Sequence, residues 1–511
     1  MQLKYRNLFQ HIALGILGLI GVSIILLLTS RYGAGITPDS VAYISAARNL
    51  AEGHGFLTYN GLHLIVQPPL YPIMLAVIKK LLSIDPIVSA GYLNALLFGL
   101  IVYLSGLFLL KHLKSFTLVF LGAVSVLISS ALVKTSFMAL SEPLFIFIVL
   151  LFLYFFETYQ SKHDFVSLFL FSISAAMACL TRYTGVIFIL TGIICILLWG
   201  KHSIKDKFWH SLVFMLITVL PIGIWIIRNY FLSGTLVGQR GSSSYTLLEN
   251  LIFFFNTVLP WYLPLNSTGI YFFLIFLIGA TWVFFGLDLA KSSIIEAKKI
   301  IGPSLLFVLF YSGVIVISST TTAYDRISDR LLSPIYIPII FILFFISDKI
   351  FSRLTNSSHL RLTTVLFIIG IILLIRYPVK NTINNIEMYI EQSGGYICNS
   401  WRESETIEYL IRHRLLGKNY TLYSNEPEAV YILTNLITKC SPAKTFYNSP
   451  QHYDIYPNQK DSWLNGENVC LIWFDKTNRN FLFTIDELQK NINMTEVAHL
   501  KDGEIYTFSC K

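Results

Sequence analysis

The sequence predicts an α-helical polytopic membrane protein of about eleven transmembrane helices, carrying a small C-terminal α/β domain on the extracytoplasmic side. Three observations lead there. Of the 511 residues, 54% are hydrophobic and only 13% charged, against about 25% charged in an ordinary soluble domain. Apolar runs close to the roughly 20 residues that an α-helix needs to cross the hydrocarbon layer recur between short polar loops. Near residue 378 the composition turns soluble, and short β-like runs alternate with helical patterns.

Taken in order, the apolar runs fall at 11–29, 87–110, 116–133, 138–158, 165–181, 184–199, 209–227, 269–287, 301–318, 331–347 and 362–377. Lys4 and Arg6 precede the first, but no small-residue cleavage site follows, so it reads as a retained anchor rather than a signal peptide. Residues 30–86 then form an external segment with two interfacial helices. Thr37 as N-cap and Pro38 at the first helical position start one, which ends at Gly53-His54-Gly55. The other is QPPLYPIMLAVIKKLLSI (67–84), where Lys79 and Lys80 inside an apolar run favour a helix lying on the membrane over one crossing it.

A second long outer loop, 228–268, holds the flexible stretch GQRGSSSY and the interfacial or re-entrant stretch FFFNTVLPWYLP, a composition suited to a gating loop. With 1–377 as the membrane domain, residues 378–511 form the outer domain, with strands at TLYS (421–424) and VCLIWF (469–474) and helices at 427–436 and 484–493.

Lysine and arginine set the orientation. With the N-terminus cytoplasmic, Lys111, Lys114, Lys162, Lys201, Lys205, Lys207, Lys291, Lys298, Lys299, Lys349, Arg353 and Arg361 fall inside. The opposite short loops carry Lys134, Arg182, Arg228, Arg240, Arg326 and Arg330. The net charge of +9 is therefore topological and gives no reason to expect nucleic acid as a partner. The expected location is the inner or plasma membrane, crossed many times, with the C-terminal domain outside. Cys398, Cys440, Cys470 and Cys510 lie in that outer domain, where three pairings into two disulfides are possible and free thiols are the equal alternative.

The residues able to do chemistry sit at the outer ends of the spans. Asp39 lies in the first turn of its helix, where unpaired N–H groups favour a negative charge, and Tyr43 is on the same face. Helix capping alone is the plain alternative. Glu142 begins an apolar run with no basic neighbour in sequence and needs a partner or a task. Arg182, Arg228 and Arg330 share that face, and guanidinium forks bind phosphate oxygens two at a time. Snorkelling to lipid headgroups explains any one of these arginines, but not three on a face with two acids. Lys134, Arg240 and Arg326 are reserves.

In order along the chain, D39-S-x-x-Y43, the A-x-x-L-A-x-G-x-G-F that follows, QPPLYPIMLA, SEPLF, TRYTGV, RNYFLSGTLVG and RLLSPIYIP resemble the landmarks of a known family. It is the GT-C superfamily of polyprenyl-phosphate-dependent glycosyltransferases, of the protein O-mannosyltransferase and lipid A aminoarabinose transferase type. The resemblance spans roughly residues 10–380, and the first external motif is its most specific part.

It implies transfer of a sugar from a polyprenyl-phosphate donor to a lipid, glycan or protein acceptor at the outer membrane surface, with Asp39 as catalytic acid/base. Such chemistry needs a carboxylate for the acceptor's proton and positive charge for the departing phosphate. Glu142 would orient the acceptor or share the proton, and Tyr43, Arg182, Arg228 and Arg330 would bind substrate. Many protein O-mannosyltransferases have a second acid beside the first; here Ser40 stands there, which moves the match toward the bacterial glycan- or lipid-modifying members. No metal and no other cofactor is expected, since arginine suffices for a lipid monophosphate; Asp325 and Asp329, around Arg326, could ligate a cation but read rather as local ion pairs. The competing reading is a lipid-linked sugar transporter or flippase that binds the same phosphate without chemistry, but its charges would sit near the bilayer midplane.

Overall fold

The computed structural model describes residues 2–262, 291–355, 361–413, 420–451, 468–477, 479–490 and 492–508. Its helices are α1 (Gln2–Ser30), α2 (Pro38–Ala51), α3 (Leu70–Leu82), α4 (Pro86–His112), α5 (Phe116–Leu127), α6 (Ser130–Phe137), α7 (Glu142–Lys162), α8 (Phe165–Thr181), α9 (Ile187–Trp199), α10 (Ile204–Ser233) and α11 (Leu247–Val258). Longer helices at Lys291–Thr321, Tyr336–Thr355 and Arg361–Gln392 follow.

Ten of the eleven expected spans fall on helices, and the eleventh, 269–287, lies outside the described residues. Six helices are long and apolar enough to cross a membrane, or seven if α5 and α6, bent by 45° at Ile128-Ser129, make one span. The count is lower than eleven partly because α8 has 17 residues. At about 1.5 Å per residue that is about 26 Å, short of a hydrocarbon core of about 30 Å. The chain is an integral membrane protein with a mostly helical body.

One acid inside this body is structural. Asp348 is buried, at 2% exposure, and accepts from the backbone N–H groups of Lys114 (3.1 Å) and Ser115 (3.0 Å) at the start of α5. It thus satisfies donors that the helix itself leaves open. Lys111 and His112 meet Glu157 nearby.

The C-terminal part is a five-stranded sheet of β1 (Thr421–Ser424), β2 (Lys439–Cys440), β3 (Val469–Phe474), β4 (Thr495–Leu500) and β5 (Gly503–Phe508), in the order β2-β1-β3-β5-β4. β1 pairs in parallel with β2 and β3, and the β3–β5–β4 ladder is antiparallel. β3 reads as an unbroken apolar run because it is covered on both faces. Cys470, Ile472 and Phe474 join the core continuous with the membrane helices, while Val469 and Leu471 join a second cluster with Tyr506 and Leu488. Among the described residues Cys179, Cys195, Cys398, Cys440 and Cys470 are free thiols; Cys510 lies outside them.

Helix Arg361–Gln392 runs without a break past residue 378 and leads into a clamp on the segment between α1 and α2. There Ile36 N–H donates to Gly394 O (3.3 Å) and Tyr396 N–H to Ile36 O (2.8 Å). On the other side Gly35 exchanges hydrogen bonds with Phe137 (3.1 Å) and Ala139 (2.8 Å). Gly395 adopts φ +65°, and a Cβ there would stand 1.9 Å from Ile36 O. Only glycine permits this approach. The clamp ends one residue before the cap of α2, so it fixes where Asp39 begins.

Candidate active site

Thr37 and Ser40 close a capping box at the start of α2. Thr37 Oγ1 accepts from Ser40 N–H (3.3 Å), and Ser40 Oγ accepts from Thr37 N–H (3.0 Å). Ser40 therefore has a local task at the position where an adjacent second acid could have stood. Capped by its neighbours, α2 leaves the Asp39 side chain, one third exposed, free to face the interior of the site. Its Oδ1 accepts from Gln67 Nε2 (2.8 Å), and its Oδ2 is ion-paired with Arg330 NH2. Burial pushes its pKa up. The charge and hydrogen bond of Arg330, with help from Gln67 and Arg182, outweigh that and hold the carboxyl below its ordinary value of 3.8.

Glu142, the first residue of α7, is fully buried. Its Oε1 receives both Arg182 NH1 (2.5 Å) and Arg330 Nε (2.7 Å). Arg330 therefore bridges the two carboxylates, and Arg182 flanks the deeper one. Arg182 reaches this point because the chain turns sharply after α8, where a Cβ on Gly185 would come within 2.4 Å of the Ala178 backbone. Among the described residues, the buried Arg182 Nε and Glu142 Oε2 find no hydrogen-bond partner. Tyr43 is buried beside it, its hydroxyl 3.1 Å from Ser141 Oγ. Tyr71, from the QPPLYP stretch, packs edge-on against the Tyr43 ring (5.2 Å) and donates to Asn94 Oδ1 (3.2 Å).

Asp39, Tyr43, Gln67, Arg182, Arg240 and Arg330 line one cavity of about 320 Å³. Asp39 and Arg330 also line a second cavity of about 1200 Å³, which runs under the C-terminal domain. Glu142 lines neither, being covered by the two arginines it holds. Its carboxyl touches the two guanidinium groups rather than the space of either cavity.

The structure brings Asp39, Tyr43, Glu142, Arg182 and Arg330 together, and leaves Arg228 apart. Arg228 NH1 donates to Leu64 O (3.0 Å), and its guanidinium lies over the Trp225 ring (4.4 Å). Beside it Tyr183 OH donates to Ile65 O (2.6 Å) and accepts from Trp225 Nε1 (3.1 Å) and Asn229 Nδ2 (3.0 Å). Charges at one membrane end can serve different partners, and the Leu64 carbonyl with the Asn229 side-chain oxygen (2.9 Å) holds this one. The effect is to fix the strand of chain that delivers Gln67 to Asp39. Sequence reasoning missed Gln67, although it opens the QPPLYP stretch.

Of the reserves, Arg240 lines the smaller cavity, with its guanidinium over the Tyr324 ring (4.5 Å) and its Nε without a partner among the described residues. Lys134 meets Asp329 (3.5 Å) and Arg326 stacks over Phe253 (3.9 Å). Asp329 also accepts from Trp261 Nε1 (2.9 Å), and Asp325 accepts from Tyr447 OH (2.7 Å). Among the described residues no group of three His, Cys, Asp or Glu side chains is placed to hold a metal ion.

Residues 66–225 match the family model of dolichyl-phosphate-mannose-protein mannosyltransferases. A comparison with curated protein sequences gives no match. By structure the chain is similar to ArnT from Cupriavidus metallidurans in the apo state, with a TM-score of 0.60 at 12% identity, covering 96% of this chain and 97% of that one. The undecaprenyl phosphate-bound form of the same protein gives 0.62 at 13% identity over the same shares. The oligosaccharyltransferase AglB from Archaeoglobus fulgidus, in complex with an inhibitory peptide and a dolichol-phosphate, gives 0.53 at 11% identity over 92% of this chain and 70% of its own. The fold is the one these proteins share, in keeping with the resemblance of the sequence motifs.

Proposed function

We propose that the chain transfers a sugar from a polyprenyl-phosphate donor to an acceptor hydroxyl or amine at the extracytoplasmic face, by direct displacement with inversion. The observation that carries this reading is Arg330 bridging Asp39 and Glu142 at the wall of a cavity lined by two further arginines. The GT-C architecture supports it, as does the undecaprenyl phosphate bound by a protein of like fold.

In this reading the donor phosphate lies against Arg182, Arg240 and Arg330, whose charge stabilises the leaving group as the bond from the anomeric carbon to the phosphate oxygen breaks. The acceptor oxygen or nitrogen forms the new bond from the opposite side, and Asp39 takes its proton. Glu142 and Tyr43 are positioning residues. Paired with Arg330, Asp39 is a weak base; a phosphate that shares Arg330 loosens the pair and raises the basicity of Asp39 when it is needed.

That exchange sets the pH dependence. The pKa of Asp39 is depressed in the folded protein, so its favourable charge interaction is present above the unfolded carboxylate value and is lost as pH falls through the folded one. The acid limb of kcat/KM, which reports the free protein, is expected below the ordinary carboxylate range, and the limb of kcat at higher pH. Coincident limbs in a stopped assay across pH 3–7 would count against the exchange.

Arg240 and Arg228 separate under substitution. Arg240→Gln is expected to raise the donor KM about tenfold, the worth of one hydrogen bond to a charged group. Arg228→Gln should act through Gln67, lowering kcat about threefold to tenfold with little change in donor KM. An equal rise in KM for both variants would return Arg228 to the phosphate.

The test of the function itself is to supply the full chain in nanodiscs with a panel of polyprenyl-phosphate sugars and follow polyprenyl phosphate by mass spectrometry. Release of the carrier with gain of a sugar on the acceptor supports the reading. Translocation of intact donor without release establishes the transporter.

A further inference from the structure

The two cavities that meet at Asp39 differ in charge. The smaller sets Arg182, Arg240 and Arg330 against Asp39 and Asp325. The larger sets Asp39, Asp325, Glu426 and Glu428 against Arg330 and Arg479. Three guanidinium groups against two carboxylates leave one net positive charge on the first wall; two against four leave two negative charges on the second. Resting on the transferase reading above, we infer that the larger cavity is the acceptor site, and that it takes the uncharged, hydroxyl-bearing end of a glycan rather than a phosphate-bearing acceptor.

The arginine of the larger cavity is already engaged. Arg479 directs Nε to Glu426 Oε1 (2.9 Å) and a terminal nitrogen to Glu426 Oε2 (2.6 Å) and Glu428 (3.1 Å), while Tyr396 OH donates to Glu426 (2.7 Å). Glu426 is only 5% exposed, so this group is built into the wall. Arg330 is likewise occupied by Asp39 and Glu142. A phosphate entering here meets four carboxylates and, besides the Arg330 that both cavities share, only the paired Arg479, whereas the smaller cavity sets Arg182 and Arg240 beside that Arg330.

Sugar hydroxyls, in contrast, donate well to carboxylates. The same wall supplies an aromatic surface, Tyr447 edge-on to Phe481 at 5.4 Å, with Tyr447 half exposed, and the C–H faces of a sugar ring pack on such surfaces. Tyr447 also lines the smaller cavity, so an acceptor resting on it lies within reach of the reacting centre.

The experiment uses the full chain in nanodiscs, with the donor that turns over and three fluorescent acceptors: a neutral oligosaccharide, its phosphorylated form, and a Ser/Thr-rich peptide. Neutral oligosaccharide favoured at least tenfold in kcat/KM supports the inference. Preference for the phosphorylated form or the peptide overturns it and leaves the transferase reading standing. Absence of carrier release with every acceptor, and with water alone, overturns both. Glu428→Lys should raise turnover of the phosphorylated acceptor at least fivefold relative to the neutral one with donor KM unchanged, and Glu428→Gln should fall between; no change in the ratio for either variant would also overturn the inference.

Discussion

Asn at position 39 is expected to lower kcat for sugar transfer by about 100- to 10,000-fold, the range that a positioned general base contributes, while the donor still binds. The argument is geometric. Asn keeps the shape of the side chain and can accept from Gln67 as Asp39 Oδ1 does at 2.8 Å, so α2 and its capping box should stand. What it loses is the ability to take a proton and the charge that holds Arg330. A freed Arg330 binds the donor phosphate at least as well, so donor KM should hold or fall. Single-turnover carrier release and donor binding, measured on the same nanodisc preparation, separate the two effects. A variant that transfers sugar within about tenfold of the native rate would remove Asp39 from the mechanism.

The second large effect falls on stability. Glu142→Gln is expected to cost about 3–5 kcal/mol, because it strips the negative partner from two arginines in a buried place. Glu142 has no exposed surface, while Arg182 and Arg330 keep 13% and 24% of theirs. Water can reach the guanidinium groups only partly, and the cost of leaving Arg182 without its carboxylate and Arg330 with Asp39 in place of two is borne by the fold around α7. Denaturation of detergent-solubilised protein, followed by tryptophan fluorescence, measures this. A cost under about 1 kcal/mol would mean that Asp39 and solvent already balance both arginines. Activity should fall as well, since Arg330 would lose one of its two anchors.

Much of the fold is legible in the chain because membrane physics leaves few choices. A backbone in hydrocarbon must satisfy its own hydrogen bonds, so apolar runs become helices wherever they lie, and ten of the expected runs do so in the described residues. The limits of α2 follow from Thr37, Pro38 and Gly53, whose conformational preferences act locally. The same holds for TLYS and VCLIWF, which are strands as read. Local signals mislead where length decides: α8 has the composition of a span but not its full length.

The site is legible in part. Asp39 stands out as an acid at a capped helix start, and Arg182 and Arg330 as arginines at span ends, and these do meet. Arg228 has the same surroundings in sequence yet turns to the carbonyl of Leu64. Arg240, in a loop without periodicity, reaches the smaller cavity instead. Glu142 reads as a candidate for the acceptor, but two arginines cover it.

The sequence by itself determined that this chain spans a membrane, that it bears an acid and several arginines at one rim, and that an α/β domain follows, because burial of apolar surface and helix capping act over neighbouring residues. Only the tertiary structure decided which arginine pairs with which carboxylate, that Gln67 holds Asp39, and that two cavities of opposite charge meet there. An ion pair such as Arg330 with Asp39 joins residues 291 positions apart, and its energy depends on distance and burial, which no local pattern encodes.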